Sequence, residues 1–331
     1  MSDPEVNTEQ GKLRGKVEKN DNDVRYYSFK GIPYAKAPVG ELRFEVPQPP
    51  EPWEGVRDGT KECNICAQFD KESGTVGGIN FGFVPTIEKP SNWEPFISEP
   101  TYQLLAKGEF TKVPYMTGIC TREGLLMVSH GRPVLEKLVQ DKKFVDFFPF
   151  ELDAVEKSKL EAKLKELYLE GENTSTEADA FAIDFFSDAD FLGGVCTAAK
   201  LISKHNSPVF LYEFTYDGNL NYLKKSYGIK REGACHGDDG GYILKHHKMT
   251  DKLSDTDKYV QNYMLELWTT FAKNGDPNPE TTDLLQVKWE PISETGLTCL
   301  VIDKEPYMKH EIYSARVKLY SEFYKKKYGG N

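Results

Sequence analysis

The stretch Val209-Phe210-Leu211-Tyr212-Glu213-Phe214-Thr215 is the strongest strand pattern in this chain, because aromatic and β-branched residues dominate it. A second buried strand is predicted over 112–119, KVPYMTGI. Apolar residues at helical spacing and local capping signals predict helices over 151–170, 188–204 (beginning after Ser187), 257–273 and 309–325. Strands that alternate with helices indicate an α/β fold with a mostly parallel sheet covered by helices.

The bulk composition excludes some classes of protein. The 331 residues include 42 basic and 52 acidic side chains, a formal net charge of −10. General binding to nucleic acid or to anionic membranes needs a basic face, so neither is expected. No apolar run is long enough for a transmembrane span. The polar start, Met1-Ser2-Asp3-Pro4-Glu5, lacks the apolar core of a secretory signal, which predicts a cytoplasmic protein.

The six cysteines are too sparse for a disulfide scaffold and favour a reducing compartment. Cys63 and Cys66 form a single C-x-x-C pair. A metal or redox role would need a second pair or a βαβ context, and neither accompanies this motif. An ordinary structural role is therefore favoured for both cysteines.

Two polar loops follow the predicted strands and carry the chemistry. Arg122-Glu123-Gly124 comes shortly after the predicted strand 112–119. Cys235-His236-Gly237-Asp238-Asp239 lies further along the chain from the predicted strand 209–215. A lone loop histidine is more often a solvated surface residue. Here the surrounding motif favours a base and an acid of the kind that activates a nucleophile. Yet no G-x-S-x-G elbow and no HGGG-type oxyanion loop occurs anywhere in the sequence.

These loops and several other motifs occur in an order that resembles the type-B carboxylesterases, especially insect alpha-esterase-like members. The matching segments are 27–35 (YSFKGIPYA), 38–44 (PVGELRF), 53–58 (WEGVRD), 66–68 (CAQ), 112–118 (KVPYMTG), 122–124 (REG), 209–216 (VFLYEFTY), 233–239 (GACHGDD), 268–279 (WTTFAKNGDPNP) and 287–291 (VKWEP). The resemblance covers nearly all of residues 10–320, in two blocks. It implies one α/β-hydrolase domain over 1–331, with Glu123 as the orienting acid and His236 as the base.

The same resemblance implies an internal deletion near 70–80. A full-length family member would carry there the oxyanion loop, the elbow serine and central strands of the sheet, whereas 81–85 (FGFVP) already resembles sequence beyond the elbow. Glu72-Ser73-Gly74 is the nearest lookalike of an elbow, but it lacks both required glycines and the strand before them. Gly77-Gly78 is interpreted as flexible loop, not as an oxyanion hole.

The implied activity is hydrolysis of small carboxylic esters through an acyl-enzyme, with no cofactor. Losing the serine of such a triad costs about 10⁶ in turnover, and losing one oxyanion donor about 10²–10³. This chain is therefore expected to be catalytically impaired. The alternative is a non-catalytic truncated isoform that binds a ligand or partner, or has no function. Missing central strands would also leave exposed sheet edges, which predicts marginal stability and self-association.

Overall fold

The computed structural model describes residues 3–20, 23–43, 45–61, 87–88, 95–148, 150, 152–170, 177–205, 208–245, 249, 252–278, 282–293 and 296–329. The chain divides into a small unit, Met1–Thr75, and a large unit, Val76–Asn331. The division falls within the region near 70–80 where the sequence predicts the deletion. A single hydrolase domain over 1–331 stays a prediction.

The small unit consists of short strands: β1 (Glu5–Asn7), β2 (Lys12–Arg14), β3 (Lys16–Lys19), β4 (Arg25–Ser28) and β5 (Val56–Asp58). β1, β2 and β5 form one sheet in the order β1-β2-β5, and β3 and β4 form a separate antiparallel pair. Among its described residues Leu13 is the only large apolar side chain that is fully buried. The unit therefore depends mainly on backbone pairing.

The large unit is built on a four-stranded sheet of β6 (Tyr115–Cys120), β7 (Val209–Phe214), β8 (Cys299–Ile302) and β9 (Tyr307–Lys309). β6, β7 and β8 are parallel neighbours, and β9 returns antiparallel to β8. The two strands predicted from sequence are confirmed, as is the mostly parallel sheet. Because β6 and β7 are parallel, the segments that leave their carboxyl ends meet at one edge of the sheet.

The large unit contains nine α-helices in its described residues. They are α1 (Thr101–Lys107), α2 (Arg132–Asp141), α3 (Ala154–Lys165), α4 (Ala180–Ser187), α5 (Gly193–Ser203), α6 (Tyr222–Ser226), α7 (Gly240–Ile243), α8 (Asp255–Asn274) and α9 (Ser314–Tyr328). The large unit also has short 3₁₀ helices at Glu123–Val128 and Phe144–Phe147 and π turns at Glu166–Glu170 and Asp188–Leu192, whereas the 3₁₀ helix Gly40–Leu42 lies in the small unit. Over the described part of the chain, none of the helices combines the length and apolarity that crossing a membrane requires.

Helix α8 has the ends that the sequence predicted, within two residues. Ser254 and Asp257 form a reciprocal capping box at its start, and Gly275 ends it with a φ of 71°. The capping box satisfies backbone N–H groups that would otherwise lack partners, and the left-handed backbone suits glycine. Local sequence therefore sets both ends of this helix.

The predicted helix start at Ser187 is wrong. The helix begins at Ala180, and α4, the π turn Asp188–Leu192 and α5 form one continuous helix to Ser203. Ser187 lies inside it, where its hydroxyl donates to the Ile183 carbonyl at 2.8 Å instead of capping a helix start. The run Ala180–Ser187 is almost entirely buried, so packing extends the helix upstream of the polar signal.

The core of the large unit lies on both faces of the sheet. Phe210 and Phe214 of β7 pack with Val260 and Met264 of α8 on one face. The alternate residue Leu211 packs on the other face with residues of α5 and α9. A third cluster joins α2, α3 and α4, with Phe144 and Phe185 fully buried at its centre. The period of two along β7 thus gives each face of the sheet its own apolar core.

Candidate active site

The candidate site lies where β6 and β7 end. The Thr121 backbone N–H donates to the Phe214 carbonyl at 2.9 Å, and its hydroxyl donates to the same carbonyl at 3.0 Å. These bonds hold the segment after β6 against the end of β7. Glu123 lies in the segment that leaves β6, and His236 lies in the segment that leaves β7.

Glu123 is a buried carboxylate, with only 5% of the residue exposed. It opens the 3₁₀ helix Glu123–Val128, and its Oε1 accepts a hydrogen bond from the Cys120 backbone N–H at 2.7 Å. Its Oε2 lies 2.8 Å from Nδ1 of His236. One carboxylate oxygen is therefore held by the strand end, and the other faces the imidazole.

The histidine loop is shaped by Asp238, which is fully buried. Its carboxylate accepts from the Cys235 N–H at 2.8 Å, the Lys224 N–H at 3.0 Å and the Asn221 side-chain amide at 3.1 Å. Gly237 completes the turn with a φ of +73°, where a Cβ would lie 2.5 Å from the side chain of Leu223. The loop that carries His236 is thus fixed on both sides of the histidine.

Arg122 ties the acid segment to the histidine loop. Its backbone N–H donates to the Ala234 carbonyl at 2.9 Å, and its Nη1 donates to the Glu232 carbonyl at 2.9 Å. Its Nη2 pairs with Glu177. Backbone and side chain of one residue therefore set the separation of the two loops.

The hydrogen bond that His236 donates to Glu123 raises the pKa of His236 above its ordinary value, against the opposing effect of burial. The negative charges of Glu123, Asp239 and Asp238 act in the same direction as the hydrogen bond. A carboxylate can only accept a hydrogen bond, so Nδ1 carries the proton in this contact. The lone pair of the neutral imidazole is then on Nε2, which is the form that a general base requires.

The structure brings together the two residues that sequence analysis assigned as acid and base, although they are 113 positions apart. Their catalytic roles stay a prediction. The residues Cys63, Cys66, Ser73, Gly77 and Gly78 lie outside the described residues. In the described ranges there is no group of three or more His, Cys, Asp or Glu side chains that could hold a metal ion.

Ser187 and Phe191 also belong to this site, and neither was predicted from the sequence to lie there. Ser187 Oγ accepts a hydrogen bond at 2.8 Å from the backbone N–H of Gly124, the residue that follows Glu123. The Phe191 ring lies against the imidazole of His236, with 4.5 Å between ring centroids and 32° between planes. No sequence pattern marks the π turn that aims Phe191, whereas the polar Ser187 in an apolar run was a visible signal that was interpreted as a cap.

Comparison with known proteins places this geometry in context. Juvenile hormone esterase of Tribolium castaneum is 52% identical over 67 residues, which cover 20% of this chain and 11% of that protein. Esterase FE4 of Myzus persicae is 32% identical over 136 residues, covering 40% of this chain and 23% of that protein. The matches thus span about a tenth to a quarter of these curated relatives. The crystal structure of juvenile hormone esterase from Manduca sexta aligns with a TM-score of 0.77 at 16% identity, covering 99% of this chain and 100% of that one.

Carboxylesterase EST55 of Geobacillus stearothermophilus aligns with a TM-score of 0.63 at 14% identity, covering 96% of this chain and 99% of that one. Both structural likenesses support the α/β-hydrolase fold. The carboxylesterase family model matches residues 2–78 and 70–320, in two blocks as the motifs predicted. This chain therefore belongs to the carboxylesterase family.

Proposed function

We propose that this chain carries the acid and base of a carboxylic-ester hydrolase site, with Glu123 as the orienting acid and His236 as the base. The observation that carries the proposal is the 2.8 Å contact between Glu123 Oε2 and His236 Nδ1. It directs Nε2 away from the acid. Membership in the carboxylesterase family supports ester bonds as the substrate class.

In this mechanism His236 Nε2 takes the proton from an attacking hydroxyl group as the group adds to the ester carbonyl. The buried Glu123 carboxylate stabilises the imidazolium formed in that step. His236 then donates the proton to the departing alcohol. Water would hydrolyse the acyl-enzyme by the same proton transfers in reverse.

We further propose that turnover by this chain is impaired, because its 331 residues contain no G-x-S-x-G elbow. Loss of the nucleophile alone lowers turnover by about 10⁶. This sequence feature also favours the second candidate, a non-catalytic carboxylesterase-family protein that acts by binding a ligand or partner. Cytoplasmic placement stays a prediction.

Labelling with a tagged fluorophosphonate followed by peptide mapping tests this proposal. The expected result is no labelled serine in the purified chain or in a His236→Ala variant. Labelling of one serine that is lost in His236→Ala, but retained in His310→Ala, would identify a substitute nucleophile and overturn the impairment. His310 is a suitable control because it is an exposed histidine outside the loop.

We also propose self-association through the outer edge of β6. Among the described strands β6 pairs only with β7, so its other edge offers backbone donors and acceptors. Tyr115 at its start is 38% exposed, and Val113, two residues before the strand, is 51% exposed. Light scattering over a concentration series should show dimers or larger species that a Tyr115→Lys variant reduces. A monodisperse monomer at all concentrations would contradict the proposal.

A further inference from the structure

The long helix from Ala180 to Ser203 is interrupted by the π turn Asp188–Leu192 at the candidate site. A π turn adds a residue to one helical turn and rotates the following side chains to a new face. Such turns are rare and occur frequently at functional sites. Here Ser187, just before the π turn, and Phe191, within it, both contact the acid–base segments.

Ser187, the residue before the π turn, supports the acid. Its buried hydroxyl accepts from the Gly124 N–H at 2.8 Å and donates to the Ile183 carbonyl at 2.8 Å. Gly124 lies so close to the helix that a Cβ there would be 2.1 Å from the Ile183 oxygen. The peptide that follows Glu123 is therefore fixed directly to the helix.

Phe191, within the π turn, supports the base. Its ring covers one face of the His236 imidazole at a centroid separation of 4.5 Å. A ring at this distance restricts rotation of the imidazole about its side-chain bonds and shields the Nδ1 contact from water on that face. Glu123 also restricts rotation of the imidazole, because it holds Nδ1 by a hydrogen bond.

Asp188 anchors the turn itself. It is 2% exposed, accepts from the Tyr168 hydroxyl at 2.6 Å and lies 3.5 Å from Nε of Arg316. Arg316 also contacts Asp184 at 3.2 Å, one helical turn earlier. Contacts from the Glu166–Glu170 turn and from α9 thus hold the helix in place on both sides of Ser187.

We propose that Ser187 and Phe191 are positioning residues for the Glu123–His236 pair, and that the π turn exists to present both from one helix. This inference rests on the pair assigned under the proposed function. It does not require turnover. Side chains that only filled the core would leave the hydrogen bond between acid and base unchanged when substituted.

The hydrogen-bonded Nδ1 proton of His236 reports on this role by proton NMR. Phe191→Ala should raise its exchange rate with water about 2- to 10-fold, the effect of weakening one hydrogen bond. Phe191→Tyr should restore the slow rate. Phe110→Ala is the matched control, because Phe110 packs against a different histidine, His205, at 5.8 Å.

Ser187→Ala should speed the same exchange by a similar factor, with Ser203→Ala as its control. Ser203 also donates from a helix to a preceding carbonyl, that of Lys200, but lies at the far end of α5. Thermal melting establishes that each variant is folded, and Phe191→Leu keeps most of the bulk if Phe191→Ala is not. Wild-type exchange rates in the folded Phe191 and Ser187 variants would overturn this inference.

The failure of the proposed acid–base pair has a different signature. A Nδ1 proton that exchanges at the rate of a free imidazole in the unmodified protein would contradict the pair itself. A Nδ1 proton that exchanges slowly, at a rate unchanged by substitution of Phe191 or Ser187, would contradict only their positioning roles.

Discussion

The large and small units of this chain are folded by different means. In the large unit two apolar clusters cover the faces of a mostly parallel sheet and a third joins the helices beside it, and residues such as Trp289, Phe144 and Phe214 are fully buried. In the small unit Leu13 is buried, whereas Tyr27 and Tyr34 are 70% and 88% exposed. Glu123 and His236 belong to the unit with the closed core. The acid–base pair therefore depends on packing inside one unit.

The largest expected difference between the two units is in their amide hydrogen-exchange rates. The amides of β7 are expected to exchange about a thousandfold more slowly than those of β4, because exchange in a closed core requires opening that approaches global unfolding. Mass spectrometry of peptides covering Val209–Phe214 and Arg25–Ser28 measures this ratio. Equal protection of both strands would remove the contrast between the units.

Two tryptophans provide the next comparison. Trp289 is fully buried and its Nε1 donates to the Leu211 carbonyl at 3.0 Å, so Trp289→Ala should cost about 3–5 kcal/mol of unfolding free energy. Trp53 is half-buried and donates from Nε1 to the Lys12 carbonyl at 2.9 Å. Trp53→Ala should cost about 1 kcal/mol. Denaturant melts followed by near-ultraviolet circular dichroism give both values, and a larger loss for Trp53 would reverse the comparison.

Two glycines near the site test how tightly the large unit is packed around it. Gly124→Ala places a Cβ 2.1 Å from the Ile183 oxygen and should destabilise the protein by about 1–3 kcal/mol. Gly240 has nothing within 4 Å of an added Cβ, so Gly240→Ala should be neutral or stabilising by about 0.4–1 kcal/mol. Urea midpoints of the two variants check the difference. Similar midpoints would show that the backbone after Glu123 can move away from the helix.

The smallest expected effect concerns pH. The pKa of His236 is raised by its hydrogen bond to Glu123, so the pair stabilises the fold fully below about pH 6.5, the unfolded value. That stabilisation is lost as the pH rises through the higher folded pKa. Glu123→Gln should lower the pKa of His236 and flatten this dependence, whereas exposed Glu109→Gln should not. NMR titration of the imidazole between pH 5 and 9 measures the shift, and an unchanged pKa in Glu123→Gln would contradict the pairing.

Sequence reasoning succeeded where local pattern determines structure. The strand of Val209–Phe214 was visible because most of its buried residues are aromatic or branched, and the end of α8 because Asn274, Gly275 and Pro277 mark it. Glu123 and His236 were identified because their loops resemble those of the type-B carboxylesterases. Their proximity follows from the parallel pairing of β6 with β7, which only the structure shows. The 2.8 Å distance between Glu123 Oε2 and His236 Nδ1 could not be predicted from the sequence.

The error at Ser187 has a physical cause. A serine before an aspartate satisfies the rules for a helix start, but a serine hydroxyl can also donate to the carbonyl four residues earlier inside a helix, as Ser187 does to Ile183. Here seven of the eight residues of Ala180–Ser187 are buried, so tertiary packing outweighed the cap preference. Phe191 was missed for a related reason, since the π turn breaks the periodicity that assigns residues to helix faces.

The parallel pairing of β6 with β7 has a consequence for folding kinetics. Tyr115 is in register with Val209, so this contact closes a loop of 94 residues (209 − 115). By chain statistics such a loop costs about 2 kcal/mol more entropy than one a tenth as long, and contacts of this range slow folding. The pairing of β6 with β7 fixes the strand ends from which the Glu123 and His236 segments leave, so we expect the acid–base contact to form after that loop closes. During refolding, protection of the His236 Nδ1 proton should therefore appear later than protection of the local α8 helix.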